Sequence, residues 1–102
     1  MTLQGKFKDD FFEWFKLKYL KGSHTFIIFE DLPQSAQFGL IQEFADTKGC
    51  EITIYSHCNT LGKRRKWELY FGDVRNGYRA NTRQQMEEYA IDEFEKLYNQ
   101  KQ

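Results

Sequence analysis

Leu32-Pro33-Gln34-Ser35-Ala36-Gln37-Phe38-Gly39-Leu40-Ile41-Gln42-Glu43-Phe44-Ala45-Asp46-Thr47-Lys48-Gly49 is followed, after Cys50, by Glu51-Ile52-Thr53-Ile54-Tyr55. The stretch reads as one helix, from start signal to stop signal, running into a strand. Asp31 or Ser35 supplies a side-chain oxygen for the helix start, and Pro33 is tolerated in or near a first turn. Phe38, Ile41, Phe44 and Ala45 recur at helical spacing, with Leu40 flanking them. Gly49 ends the helix. In residues 51–57 the period changes to two, with Ile52 and Ile54 on one face and Thr53 and Tyr55 on the other.

Upstream, residues 6–20 place Phe7, Phe11, Trp14, Phe15 and Lys18 at helical spacing, while Lys8, Asp9, Glu13 and Lys16 fall on other faces. This predicts an amphipathic helix with an aromatic stripe, ended by Lys21-Gly22. Residues 24–30, rich in Phe, Ile and Thr, read as a strand covered on both faces. Downstream, residues 58–65 form a polar loop. Residues 66–71 alternate again, with Trp67, Leu69 and Phe71 facing one way. Asn76-Gly77 predicts a tight turn into a short strand at Tyr78-Arg79-Ala80. Thr82 and Gln85 have capping-box spacing. Met86, Ala90, Ile91, Phe94 and Leu97 then line one face of a last helix. The order is α-β-α-β-β-(β)-α. The expected fold is α+β: an antiparallel sheet of three or four strands with helices packed on it, in one domain over residues 1–102.

Composition narrows the class. The chain has 102 residues, 40% hydrophobic and 29% charged, a balance that suits a folded globular protein. Aromatic residues make up 18%, ten of them Phe, so a short chain can still bury a large apolar area. The longest apolar run, Phe26-Ile27-Ile28-Phe29, is too short to span a bilayer. The first residues lack the apolar core of a signal peptide. Cys50 and Cys58 read as reduced thiols. The expected location is cytoplasmic, with no membrane partner.

Catalytic and metal chemistry find little support. Cys50, Cys58, His24 and His57 do not form the closely spaced ligand pairs of a zinc site. Ser23-His24 and Ser56-His57 are neighbours in strands, so their side chains point to opposite faces, the wrong geometry for a nucleophile and its base. Glu30-Asp31, between a strand and a helix, suits capping better than acid chemistry. There is no Gly-rich phosphate loop. No catalytic residue, metal ligand, cofactor or small-molecule substrate is expected.

Charge carries the sharpest hint. The formal net charge is zero, but residues 56–83 hold seven basic groups against Glu68 and Asp73, a net +5. Residues 84–102 hold five acidic groups against two lysines, a net −3. Lys63-Arg64-Arg65-Lys66, in the loop between two strands, would project from the sheet edge toward phosphates, with Arg75, Arg79 and Arg83 in support. The bland reading of the same run is a solvated loop that blunts a sheet edge. Trp67 after the run could stack on a base, although its phase with Leu69 and Phe71 suits the core.

Residues 32–54, through Leu32, Pro33, Ser35, Gln37, Gly39, Phe44, Asp46, Gly49 and Ile52, resemble a group of small uncharacterised proteins of phages and mobile elements of gut Bacteroidetes. Residues 82–99 are similar to that group's ending. The resemblance implies origin and carries no activity. Residues 34–98 also run α-β-β-β-α, an order similar to that of double-stranded-RNA-binding domains. Such a likeness implies reading of RNA shape through the first helix, the first inter-strand loop and lysines opening the last helix. Here that helix opens with Arg83 and then Glu87-Glu88, and the loop has no Gly-Pro-x-His. The expected function is that of an intracellular accessory protein, a nucleic-acid-associated or regulatory binding module acting through Lys63, Arg64, Arg65 and Lys66 with Arg75, Arg79 and Arg83. The alternative is a protein–protein interaction module, a homodimer or a binder of a host protein, that uses the aromatic first helix.

Overall fold

The quoted stretch folds as its punctuation dictates. In the computed structural model, which describes residues 3–20, 29–58 and 65–100, the helix spans Gln34–Thr47. Its C-terminus closes in a Schellman arrangement. Gly49, at φ +79°, donates its N–H to Asp46 O at 3.1 Å, and Cys50 donates to Ala45 O at 3.0 Å. Only glycine takes that left-handed position without strain. The helix start differs from expectation. Pro33 itself occupies the capping position, and neither Asp31 nor Ser35 caps the helix. Instead, Gln37 reaches back to donate to Phe29 O at 2.9 Å.

In chain order the helices are α1 (Gly5–Phe15), α2 (Gln34–Thr47) and α3 (Arg83–Gln100). The strands β1 (Ile52–Cys58), β2 (Arg65–Phe71) and β3 (Val74–Ala80) lie between the last two helices. A π-helical turn at Lys16–Leu20 extends α1, and Phe29–Asp31 make a 3-10 turn before α2. The strand expected over residues 24–30 falls mostly outside the described residues, and its last two positions belong to that 3-10 turn. The expected end of the first helix at Lys21-Gly22 also lies outside them.

Among the described residues the sheet has three strands, antiparallel, in the order β1-β2-β3. This is the α+β architecture expected, with helices on the sheet. β2 starts at Arg65, so Arg65 and Lys66 belong to a strand and not to the loop. The tight turn is also elsewhere. Gly72-Asp73 joins β2 to β3, with Phe71 opposite Val74 and Gly72 at φ +63°. A glycine with positive φ at the first of two central positions suits the right-handed twist of a hairpin. Asn76-Gly77 lies inside β3, where the register shifts between Glu68 and Leu69. The Asn76 side chain accepts from the N–H of Tyr78 at 2.9 Å and from the hydroxyl of Tyr89 at 3.3 Å. The turn-forming dipeptide thus makes a bulge, and the bulge seats Tyr78 face to face with Tyr89, ring centroids 4.0 Å apart.

α3 packs on all three strands, α2 on β1, and α1 on α2 and α3. The core runs through every layer: Phe7 and Phe11 of α1, Phe38, Ile41 and Phe44 of α2, Ile52 and Leu69 of the sheet, and Met86, Ile91 and Phe94 of α3 are all buried. α3 begins with the Thr82 half of the capping box that its spacing predicts, and the return bond from Gln85 falls one residue earlier, on Asn81. Thr82 Oγ1 accepts from Gln85 N–H at 3.1 Å, while Gln85 Oε1 accepts from Asn81 N–H at 3.3 Å. Near its other end, Leu97 is turned outward rather than into the expected apolar face, and the Tyr98 ring packs against Phe7 and Phe94. Among the described residues no helix is long and apolar enough to cross a membrane.

Candidate functional site

The two faces of the sheet differ in kind. Ile52, Leu69 and Ala80 point into the core beneath α3, with Ile54, Trp67 and Phe71 packed against it. Side chains alternate along a strand, so Thr53, Tyr55, Lys66, Glu68 and Tyr70 point the other way. In register, Thr53 faces Tyr70 and Tyr55 faces Glu68 across β1 and β2, while Glu68 faces Arg79 and Tyr70 faces Arg75 across β2 and β3. No described helix packs on this second face.

Glu68 organises it. Its carboxylate Oε1 lies 3.4 Å from Arg75 Nη2 and 3.5 Å from Arg79 Nη2. The Glu68 side chain is only 8% exposed, while those of Arg75 and Arg79 are 46% and 50% exposed. One shielded anion thus holds two half-open guanidinium groups in place. Each guanidinium has five N–H donors in a planar fork, so an ion pair through one nitrogen leaves others to meet a ligand. Tyr55 and Tyr70 meet edge to face beside them, ring centroids 5.3 Å apart. Tyr55 is 52% exposed. Together with Ser56, Gly72 and Asp73 the two tyrosines line an open depression of about 480 Å³.

The structure therefore gathers part of the expected cation set and separates the rest. Lys66, Arg75 and Arg79 share the open face. Arg83 is on the helix side of the sheet, where its guanidinium sits 5.5 Å from the centre of the Trp67 ring and its Nε lies 3.2 Å from Glu87 Oε2. Trp67 is thereby engaged by the core and by Arg83. Arg65 stands opposite Cys58 at the start of β2. Lys63 and Arg64 lie outside the described residues, as does His24. Tyr55, Tyr70 and Glu68 did not figure in the sequence-derived set. Their period-two phase, opposite to Ile54 and Leu69, is the signal that places them together.

Among the described residues no group of three or more His, Cys, Asp or Glu could hold a metal ion. The aromatic stripe of α1, offered above as an interaction surface, is turned inward: Phe7, Phe11 and Phe15 are buried and Trp14 packs against the core. Beyond it, Glu43 of α2 accepts hydrogen bonds from Lys18 and Tyr19, and the Lys18 ammonium lies 5.4 Å from the centre of the Trp14 ring. Hydrogen bonding to Lys18, then to Tyr19, holds the Glu43 carboxyl below its ordinary range. The Tyr98 hydroxyl donates to Asp10 Oδ2 at 2.6 Å. Burial, then that hydrogen bond, pushes the Tyr98 phenol up to about 12.

The chain matches no family model, no curated protein and no solved structure.

Proposed function

We propose that this protein is a nucleic-acid-associated binding module, an intracellular accessory protein of the phage or mobile-element type that the resemblance of residues 32–54 and 82–99 suggests. The observation that carries the reading is the pair of half-exposed guanidinium groups, Arg75 and Arg79, fixed on the shielded Glu68 carboxylate beside Lys66. A guanidinium held by a neighbour loses less side-chain freedom on meeting a phosphate than a free one does, and its fork matches phosphate geometry. Lys63 and Arg64 precede these groups in the chain and add to the same charge. Binding of this kind tolerates sequence and weakens as salt rises, because each phosphate contact releases condensed counterions.

The test is fluorescence anisotropy with labelled single-stranded and double-stranded DNA and RNA, at low and physiological salt. The expected result is affinity that falls with salt and is lost when Lys63, Arg64, Arg65 and Lys66 are all replaced by Glu. A charge-reversed protein that binds normally would sink the role of the basic run. An unaltered protein that binds no nucleic acid even at low salt would sink the reading altogether.

A further inference from the structure

We infer that the open face of the sheet takes a single strand, with a base stacked on Tyr55 beside Tyr70 and its backbone along Arg75 and Arg79. The inference rests on the nucleic-acid reading above and deepens it by naming the ligand class. Three features select a single strand over a duplex.

The first is the layout of rings and cations. Tyr55 lies on β1, Tyr70 and Lys66 on β2, and Arg75 and Arg79 on β3. Adjacent strands are about 4.8 Å apart, so the Tyr55 and Arg79 backbones, two strands apart in one cross-strand row, are separated by about 9.6 Å. A nucleotide lying across the strands can place its base over the tyrosines and its phosphate over the arginines. A duplex keeps its bases stacked inside and offers such a face only backbone, which leaves the rings unused.

The second is ring accessibility. Most aromatic side chains of α1 and α2 are spent in the core. Tyr55 instead exposes half its surface on a sheet face that no described helix covers. Its edge-to-face contact with Tyr70 fixes the ring without hiding it. The depression of about 480 Å³ beside the two rings is wide and open, which suits one base entering from solvent.

The third is charge. Glu68 is shielded, and among the described residues the charged side chains exposed on this central part of the face are cationic: Lys66, Arg75 and Arg79. The exposed acids Glu51 and Asp73 stand at the end of the face nearest the β2–β3 turn. A polyanion would thus be drawn to Arg75, Arg79 and Lys66, with bases toward Tyr55 and Tyr70.

The experiment uses the full chain and four fluorescein-labelled probes: single-stranded DNA and RNA of mixed sequence, and the matching duplexes. Affinities are measured across a salt series for the unaltered protein and for Tyr55→Ala and Tyr55→Trp. The single strands should bind more tightly than the duplexes, with log affinity falling against log salt at a slope of about −2 for three phosphate contacts. Tyr55→Ala should weaken single-strand binding by about 5- to 150-fold, the effect of losing one stacked base, and Tyr55→Trp should retain it. Circular dichroism and thermal melting confirm that both variants fold, as expected for a half-exposed position. Duplex binding as tight as single-strand binding, or a folded Tyr55→Ala protein with unchanged affinity, overturns the stacking inference and leaves the phosphate reading standing. Absence of binding to every probe at low salt overturns both.

Discussion

At the scale of single residues, Glu68 ties stability to binding. It is a shielded carboxylate on the central strand, paired with two arginines. Glu68→Gln keeps the shape and removes the charge. Each of these two ion pairs, with its arginine half open to solvent, contributes up to about 1 kcal/mol. Glu68→Gln should therefore lower stability by about 1–2 kcal/mol in denaturant titration. It should at the same time weaken nucleic-acid binding while leaving the salt slope at about −2, because Arg75 and Arg79 keep their charges but lose the carboxylate that holds them in place. A folded Glu68→Gln protein that binds with unchanged affinity would contradict the role given to Glu68 in holding the two arginines. Tyr98 sets a pH dependence. The phenol, ordinarily near 10, is raised to about 12 by burial and then by its hydrogen bond to Asp10. The unfolded chain thus releases this proton first, so the stabilisation is intact below pH 10 and is lost as pH rises through 10 toward 12. Tyr19, raised by its bond to Glu43, adds in the same direction. Tyr98→Phe should accordingly flatten, without abolishing, the fall in unfolding free energy between about pH 9 and pH 11.

At the scale of elements, α1 shows a helix start supplied from the far end of the chain. Gln4 makes no side-chain cap. Asn99 of α3 does the work: its Oδ1 accepts from Phe7 N–H at 2.8 Å and its Nδ2 donates to Gln4 O at 3.1 Å. Gly5, at φ +71°, lets the backbone pass beneath that amide, where an added Cβ would come within 2.9 Å of it. Asn99→Ala should cost about 0.5–2 kcal/mol, as loss of a cap does. Gly5→Ala should cost at least as much, through its left-handed backbone and the clash. The double variant should be less destabilised than the sum, since removing Asn99 removes the clash. Strict additivity in thermal melts would show that the two do not meet. Such a cap is invisible in sequence, because its partners are more than ninety positions apart. The elements themselves were legible where periodicity and local punctuation agree, as in α2 with Gly49 and α3 with Thr82 and Gln85. They were misread where two local signals compete. Asn76-Gly77 is the stronger hairpin dipeptide, but Gly72-Asp73 makes the turn, because only that register keeps Leu69 and Ala80 buried and lets Asn76 reach Tyr89. The candidate site was half legible for the same reason. Charge along the chain pointed to β2 and β3, but which cations share a face depends on a bulge and on the side of the sheet that α3 covers.

At the scale of the whole molecule, one aromatic cluster joins the helical layers and sets how far the chain can be altered. Phe11 is fully buried, with the rings of Phe7, Phe12, Trp14, Phe15, Phe29 and Phe44 all within 6.1 Å of its centre. These rings come from α1, from the turn before α2 and from α2 itself, so no single helix holds the cluster together. A domain of this size has about 5–15 kcal/mol of stability in total. Phe11→Ala removes about 3–5 kcal/mol through lost burial and the cavity left behind, which is up to the whole margin of a weakly stable chain. Phe11→Leu, which keeps most of the volume, should cost about 1–2 kcal/mol. At about 4–8 °C per kcal/mol for a chain of this length, Phe11→Leu should lower Tm by about 4–16 °C and leave a cooperative transition. The sheet's outer face is carried by β1, β2 and β3, whereas α1 packs on α2 and α3. Folded Phe11→Leu protein should therefore bind nucleic acid with unchanged affinity at a temperature below its lowered Tm. If affinity fell while the protein stayed folded, the binding surface would have to include α1, and the assignment to Tyr55, Arg75 and Arg79 would be wrong.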